Sequence, residues 1–141
     1  MIVLLDTDLL SVLQHEDHAA VVLQQRLEQL PPNNVRVSIV SFQEQARGWL
    51  AYIHRARKPD QVLRGFFQLQ EMLRHYHTRQ VMAFDEAAMD EFLNLHKQRI
   101  RIGTSDLRIA AIVKSNHVKL LSRNLRDFRQ VPGLDVEDWT Q

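Results

Sequence analysis

The sequence predicts an α/β protein with a mainly parallel sheet and helices on both faces of that sheet. Short apolar runs of strand length alternate along the chain with longer segments whose apolar residues recur at helical spacing. The 141 residues contain no internal repeat, no low-complexity tract and no obvious linker. We therefore expect a single domain over residues 1–141.

Five short runs are predicted to be strands. The first, residues 2–5, is apolar throughout and ends at Asp6. The second, residues 35–40, alternates apolar and polar side chains, as a half-buried strand does. The other three runs lie at residues 81–84, 119–122 and 134–136.

Helical spacing accounts for much of the chain between these runs. The apolar faces are formed by Leu23, Leu27 and Leu30, then by Phe42, Ala46, Trp49, Leu50 and Ile53, then by Val62, Phe66, Leu69, Leu73 and Tyr76. Ser41 is placed to cap the second of these helices, and Pro59 ends it. Asp85 is placed to cap a later helix whose apolar face runs to Ile100. Residues 107–113 are apolar nearly all round, which indicates a buried helix.

The composition is that of an ordinary globular protein. Hydrophobic residues make up 45% of the chain and charged residues 25%, and the absence of cysteine excludes disulfides and cysteine-ligated zinc. The first apolar run has no basic segment before it and stops at an acid, unlike a signal peptide. No run approaches the roughly 20 apolar residues that span a bilayer. We expect a cytoplasmic protein with no membrane partner.

Acidic residues recur beyond the predicted strands and at a glycine-led turn. Asp6 and Asp8 follow the first strand, Glu44 follows the second, Asp127 follows the fourth, and Asp106 lies in "IGTSDLRIAA". The carboxyl ends of parallel strands meet at one edge of a sheet, so one crevice could unite these acids. Two carboxylates about 4 Å apart repel by roughly 4 kcal/mol at an effective dielectric near 20, so the cluster would need protons or a cation.

An oxygen-only ligand set suits Mg²⁺ or Mn²⁺, ions that promote phosphodiester hydrolysis. Each acid also has a structural explanation. Asp6 could cap a helix, Asp8 and Glu44 could serve early helix turns, Asp106 could be an N-cap, and Asp127 could be a surface acid. Local sequence leaves both interpretations open.

Basic residues are concentrated between Lys97 and Arg129. This segment holds nine lysines and arginines against two acids, which leaves a net charge of +7. Such a segment could follow a phosphate backbone, or it could simply form solvated helix faces. The candidates for contact with RNA are Arg99, Arg101, Arg108, Arg123 and Arg126.

Several motifs, taken in order, resemble the PIN domain and, more closely, the VapC-type toxins of bacterial toxin–antitoxin pairs. These are "LLDTD", the spacing S-x-x-E-x-x-x-G over residues 41–48, "IGTSDLRIAA", "LLSRNLRDF" and "VPGLDVEDW". The likeness runs from Met1 to Trp139. It implies an α/β/α sandwich around a parallel sheet, a Mg²⁺- or Mn²⁺-dependent endoribonuclease, a cognate antitoxin as partner, and a homodimer.

The resemblance also implies a role for individual residues. The catalytic acids of the VapC-type toxins correspond to Asp6, Glu44, Asp106 and Asp127 in this sequence. The resemblance implies that Asp6 and Asp106 are the main metal ligands. Supporting positions correspond to Asp8, Ser122 and Asn124. One departure is Gln45, which stands where the family commonly has leucine.

Two other functions are compatible with parts of the sequence. Haloacid-dehalogenase-like phosphatases also carry Asp-x-Asp after a first strand, but Leu10 stands where they normally have threonine or valine. A non-catalytic module could use the same fold to bind RNA or a protein. A phospho-aspartate at Asp6 would favour the phosphatase, and binding that needs neither a metal nor Asp106 would favour the module.

Overall fold

A computed structural model describes residues 1–15 and 17–141. These residues form five strands, β1 (Val3–Leu5), β2 (Val35–Ser38), β3 (Gln80–Met82), β4 (Lys119–Leu121) and β5 (Val136–Glu137). The helices are α1 (Thr7–His15), α2 (His18–Leu27), α3 (Ile39–Arg55), α4 (Pro59–His77), α5 (Glu86–Lys97), α6 (Thr104–Asn116) and α7 (Leu125–Phe128). A 3₁₀ turn, Pro32–Asn34, precedes β2.

All five strands are parallel and lie in the order β3-β2-β1-β4-β5. Strand β1 is central and pairs with β2 and β4, with Val3 opposite both Val35 and Lys119. The carboxyl ends of β1, β2 and β4 therefore open side by side at one edge of the sheet.

The side chains of β1 point alternately into two hydrophobic cores, because successive residues of a strand face opposite sides of a sheet. Val3 and Leu5 belong to a core that also contains buried residues of α1, α2 and α4. Leu4 belongs to a second core, formed largely by α5, α6 and α7. Helices thus cover both faces of the sheet, which confirms the predicted α/β/α sandwich.

Several local predictions are wrong, and one of them is the end of α2, which stops at Leu27 before Leu30. Strand β2 ends at Ser38 and not at residue 40, because α3 already begins at Ile39. The cap of α3 is accordingly Ser38, whose Oγ accepts from the backbone N–H of Ser41 at 3.0 Å. Ile100 lies beyond α5, which ends at Lys97. The cap predicted at Asp85 is confirmed, since its carboxylate accepts from the N–H of Ala88.

Two helices were not predicted from the sequence, α1 and α7. Helix α1 begins directly after β1, and the carboxylate of Asp6 caps it by accepting from the N–H of Leu9 at 2.8 Å. None of the helices found in residues 1–15 and 17–141 combines the length and the apolar character that a membrane crossing requires.

Candidate active site

Asp6 is held from two sides at the carboxyl end of β1. Its Oδ1 accepts from the N–H of Leu9, and its Oδ2 accepts from the hydroxyl of Ser122 at 2.5 Å. Only 4% of Asp6 is exposed to solvent. Burial raises its pKa to about 6, against the two hydrogen bonds, and the charges of Asp8 and Asp106 raise it further.

The segment after β4 contacts three acids through three successive residues. Ser122 donates to Asp6, the guanidinium of Arg123 binds Asp8, and the side-chain amide of Asn124 donates to Asp127 at 3.0 Å. The hydroxyl of Ser122 also accepts from the N–H of Asn124. Ser122 and Asn124 therefore each contact one of the predicted catalytic acids, and their supporting role remains a prediction.

Glu44 lies in the second turn of α3 and is fixed by a hydroxyl of the β1–α1 turn. Thr7 donates from Oγ1 to Oε1 of Glu44 at 2.6 Å. Thr7 Oγ1 is also 2.8 Å from the hydroxyl of Ser41, which in turn accepts from Ser38 at 3.4 Å. Linked hydroxyls polarise one another, so this series strengthens the last bond to Glu44.

Asp106 lies within the electrostatic reach of the other three predicted acids. It occupies the first turn of α6, where Gly103 is the N-cap residue and contributes no side-chain cap. Burial raises the pKa of Asp106, and the charges of Glu44 and Asp127 raise it further. Asp106 also raises the pKa of Asp6. The N-cap explanation for Asp106 is therefore wrong.

Asp8, on the first turn of α1, is bound by an arginine. The Nε of Arg123 donates to Oδ2 of Asp8 at 2.9 Å and the Nη2 donates to Oδ1 at 3.1 Å. This is a bidentate pair in which each nitrogen meets a different oxygen. It raises the pKa of Arg123, mainly through the hydrogen bond to Asp8.

The donors at this edge of the sheet fit a hard divalent cation. Asp6 and Asp106 offer carboxylate oxygens, and burial and nearby acids disfavour the ionised form of each. A bound cation would favour the ionised forms. Within residues 1–15 and 17–141, no three histidine, aspartate or glutamate side chains already stand as a complete metal-binding group. Mg²⁺ tolerates this, because it is usually held by one or two carboxylates and keeps several waters.

The basic segment does not form one continuous cationic surface. Lys114 and Lys119 bind acceptors on neighbouring segments, Arg123 binds Asp8, and the guanidinium of Arg108 lies 5.6 Å from the centre of the Phe92 ring. The five arginines predicted to contact RNA are all exposed: Arg99, Arg101, Arg108, Arg123 and Arg126. Their contact with RNA remains a prediction.

Thr7 and Ser38 were missed as parts of the site by sequence reasoning. Thr7 stands between the two acids of "DTD" and Ser38 ends β2, so both lie at the same edge of the sheet as the acids. Thr7 lies just beyond a predicted strand, whereas Ser38 lies inside the strand predicted over residues 35–40, so only Thr7 carried a signal in the sequence.

A broad open groove lies between α1, α3 and α4, and none of the four predicted catalytic acids lines it. Its volume is about 580 Å³, and aromatic residues Trp49, Tyr52 and Phe67 line it together with Met72. Gln45 contributes a polar wall, since it bonds to Ser11, Gln14 and Tyr76. Gln45, which stands where the VapC-type toxins commonly have leucine, therefore places a polar network in this groove.

No protein-family model matches the chain. A curated relative, Ribonuclease VapC1 of Haemophilus influenzae (strain R2866), is 25% identical over 142 residues that cover 100% of both chains. Ribonuclease VapC1 of Rickettsia felis is 46% identical over 43 residues, which are 30% of this chain and only 32% of that protein.

Solved structures share the fold over the same length. VapBC-1 from nontypeable Haemophilus influenzae contains a chain with a TM-score of 0.73 and 24% identity, and the match covers 100% of each chain. A toxin–antitoxin complex from Klebsiella pneumoniae contains a chain with a TM-score of 0.68 and 22% identity, matched over 94% of each chain.

The chain shares the fold of the VapBC-1 chain over its whole length. Together with the full-length similarity to Ribonuclease VapC1, this fold bears out the resemblance to VapC-type toxins that the motifs indicate.

Proposed function

We propose that the chain is a Mg²⁺- or Mn²⁺-dependent endoribonuclease and the toxin of a toxin–antitoxin pair. The observation that carries this proposal concerns four acids from four separate segments of the chain. Asp106 interacts electrostatically with each of the other three, Asp6, Glu44 and Asp127. The name of the full-length relative, Ribonuclease VapC1, supports the same reaction.

Asp6 and Asp106 would hold the cation, which when bound lowers the pKa of water and stabilises negative charge on a phosphoryl oxygen. The chain's own residues supply the positioning. Ser122 and the N–H of Leu9 orient Asp6, Thr7 orients Glu44, and Asn124 orients Asp127. Glu44 and Asp127 are the acids left to orient water and to accept its proton beside the scissile phosphate.

RNA would approach this edge of the sheet past exposed arginines. Arg99 and Arg101 precede α6, which carries Asp106, and Arg126 is next to Asp127. Guanidinium groups bind phosphate oxygens in a bidentate manner and release counterions from the nucleic acid. We expect these contacts to provide affinity for RNA.

Phosphatase chemistry through Asp6 is the less favoured alternative. Haloacid-dehalogenase-like phosphatases normally have threonine or valine two residues past the second aspartate, where this chain has the buried Leu10. A non-catalytic binding module remains the alternative to test. It predicts RNA or protein binding that is unchanged by chelator and by Asp106→Asn.

The decisive experiment is cleavage of total cellular RNA by purified protein with Mg²⁺ or Mn²⁺, and with chelator. The double variant Asp6→Asn/Asp106→Asn excludes a contaminating nuclease, and Asp90→Asn on α5 is a matched change of an exposed acid away from the site. We expect discrete fragments with 5′-phosphate ends from the unsubstituted protein and from Asp90→Asn. Products with 2′,3′-cyclic phosphates, or cleavage that survives the double substitution, would contradict the proposal.

We also infer a cognate antitoxin and a homodimer as protein partners. Four large apolar side chains on α4 are 55–72% exposed: Leu63, Phe66, Phe67 and Leu73. Apolar patches of this kind mark protein interaction surfaces, and the similar chain from Klebsiella pneumoniae belongs to a toxin–antitoxin complex. Light scattering of the protein alone, and after co-expression with the protein encoded beside it, tests both partners.

A further inference from the structure

The pair between Arg123 and Asp8 joins the two turns that carry the acids. Asp8 lies two residues after Asp6, and Arg123 follows Ser122, which itself bonds to Asp6. Both oxygens of Asp8 accept from the same guanidinium, at 2.9 and 3.1 Å. The pair is at the surface, with 41% of the Arg123 side chain and 55% of the Asp8 side chain exposed.

We propose that Arg123 is a positioning residue that holds Asp8 out of the cation's ligand set. This inference rests on the proposed function, because it concerns the cation of the same site. It assigns to Arg123 a role other than RNA contact and to Asp8 a role other than metal ligand.

Geometry supports this assignment because one cationic group binds both oxygens of Asp8. A planar guanidinium matches a carboxylate through two parallel hydrogen bonds, which fix the orientation of the Asp8 side chain. The partners of Asp6, in contrast, are a hydroxyl and a backbone N–H, which carry no net charge. A metal ion bound to Asp8 would lie beside the guanidinium and be repelled by it, whereas the partners of Asp6 exert no such repulsion.

Charge supports the assignment as well. The negative charges of Asp8 and Asp106 both act on Asp6 and disfavour its ionisation. The guanidinium of Arg123 offsets part of the charge of Asp8 through its two hydrogen bonds to that carboxylate. Arg123 therefore limits the negative charge next to the cation while leaving the two main ligands available.

The test is a double-mutant cycle on Mn²⁺ affinity, measured by calorimetry or by electron paramagnetic resonance without RNA. Arg123→Gln leaves Asp8 without its partner, so Mn²⁺ should bind about three- to tenfold more tightly, the size expected for one added charge near a hydrated site. Asp8→Asn leaves the guanidinium charge uncompensated and should weaken binding by a similar factor. The double variant should bind within about twofold of the unsubstituted protein.

Arg126→Gln is the matched control, because Arg126 is an exposed arginine three residues further along the chain. Its effect on Mn²⁺ affinity should be clearly smaller than that of Arg123→Gln. Equal effects of the two substitutions would mean that only general charge matters, and would overturn the inference.

The double variant separates the possible outcomes. If Asp8 is a metal ligand, the double variant loses at least about tenfold in Mn²⁺ affinity, and the inference fails while the proposed function stands. If the unsubstituted protein binds no Mn²⁺ at all, the proposed function and this inference fail together. Steady-state cleavage of RNA adds a further readout. If Arg123 contacts RNA, Arg123→Gln should raise KM by the same factor in the unsubstituted protein and in the Asp8→Asn variant.

Discussion

The hydroxyl of Ser122 donates to the Oδ2 of Asp6 at 2.5 Å, although 116 residues separate the two in the sequence. Both residues are buried, and they follow adjacent parallel strands, β1 and β4. This bond joins Asp6, the first of the four predicted catalytic acids, to the segment after β4. The same segment holds the last of the four, because Asn124 contacts Asp127.

Ser122→Ala should therefore reduce both stability and cleavage. The substitution removes a donor from a buried carboxylate, which costs about 1–3 kcal/mol in unfolding free energy. Loss of an orienting partner of a metal ligand should lower the cleavage rate by about 10- to 100-fold. Urea unfolding and RNA cleavage measure the two effects. Ser115→Ala, which removes a hydroxyl that donates to the Ile112 carbonyl at the far end of α6, should leave cleavage unchanged.

Asp106→Asn should abolish cleavage without destabilising the protein in chelator. The substitution removes a metal ligand, and the loss of metal-derived stabilisation of several kcal/mol corresponds to at least about 100-fold in rate. It also removes a charge that burial, Glu44 and Asp127 disfavour, so the melting temperature in chelator should stay the same or rise. A clear fall in melting temperature in chelator would show that the Asp106 carboxylate has a stabilising partner. It would contradict the inference that burial and neighbouring acids disfavour its charge.

Stability in chelator should fall as the pH rises from about 4 to about 6. Asp6 ionises near pH 6 in the folded protein, against 3.8 for an ordinary aspartate, so the folded state holds more protons in this interval. Rising pH then favours the unfolded state, by about 3 kcal/mol from this residue. Asp6→Asn should remove this part of the dependence, which unfolding of both proteins at several pH values would reveal. Parallel pH curves for the two proteins would refute the raised pKa.

Two glycines on neighbouring helices should respond in opposite directions to alanine. A Cβ on Gly65 of α4 would lie 2.5 Å from Cγ1 of Ile53, so Gly65→Ala should destabilise the α3–α4 pair by about 1–3 kcal/mol. At Gly48 of α3, a Cβ would meet no heavy atom of the described residues within 4 Å, and Gly48→Ala should stabilise the helix by about 0.5–1 kcal/mol. Thermal unfolding of the two variants side by side provides the measurement.

The polar network at Gln45 should show coupling with Tyr76. The Tyr76 hydroxyl donates to Oε1 of Gln45 at 3.0 Å, so Gln45→Leu leaves a half-buried hydroxyl without its acceptor and should cost about 1–3 kcal/mol. In a Tyr76→Phe background, the same leucine substitution should cost much less, because both polar partners are gone. Additive effects in urea unfolding would mean that the hydrogen bond contributes nothing.

Periodicity and strand-end acids were sufficient to predict the fold class, the strand regions and the helices α2 to α6. They failed at α1 and at the start of α3, where a helix begins directly at a strand end. There, Asp6 and Ser38 cap the next helix, and at Ser38 the alternation typical of a strand continues to residue 40. Such boundaries depend on side-chain hydrogen bonds that periodicity does not record.

The site itself could be predicted as a set of acids with Ser122 and Asn124 as supporting residues, but not as a set of contacts. Sequence reasoning named Asp6, Glu44, Asp106 and Asp127, but treated capping and metal binding as alternatives for Asp6, whereas its Oδ1 caps α1 and its position also suits a cation. The pairing of Asp8 with Arg123 was not foreseen, because the two residues are 115 apart in sequence. The expectation of a single domain over residues 1–141 remains a prediction.

The central position of β1 has a consequence for synthesis on the ribosome. Its neighbour β4 and the Ser122 hydroxyl are made more than a hundred residues later. Until the segment from Lys119 to Asp127 has emerged from the exit tunnel, Asp6 lacks one of its two partners and Asp127 is absent from the folding chain. A nascent chain halted before β4 should therefore lack the proposed ribonuclease activity, which should appear only after that segment has been made.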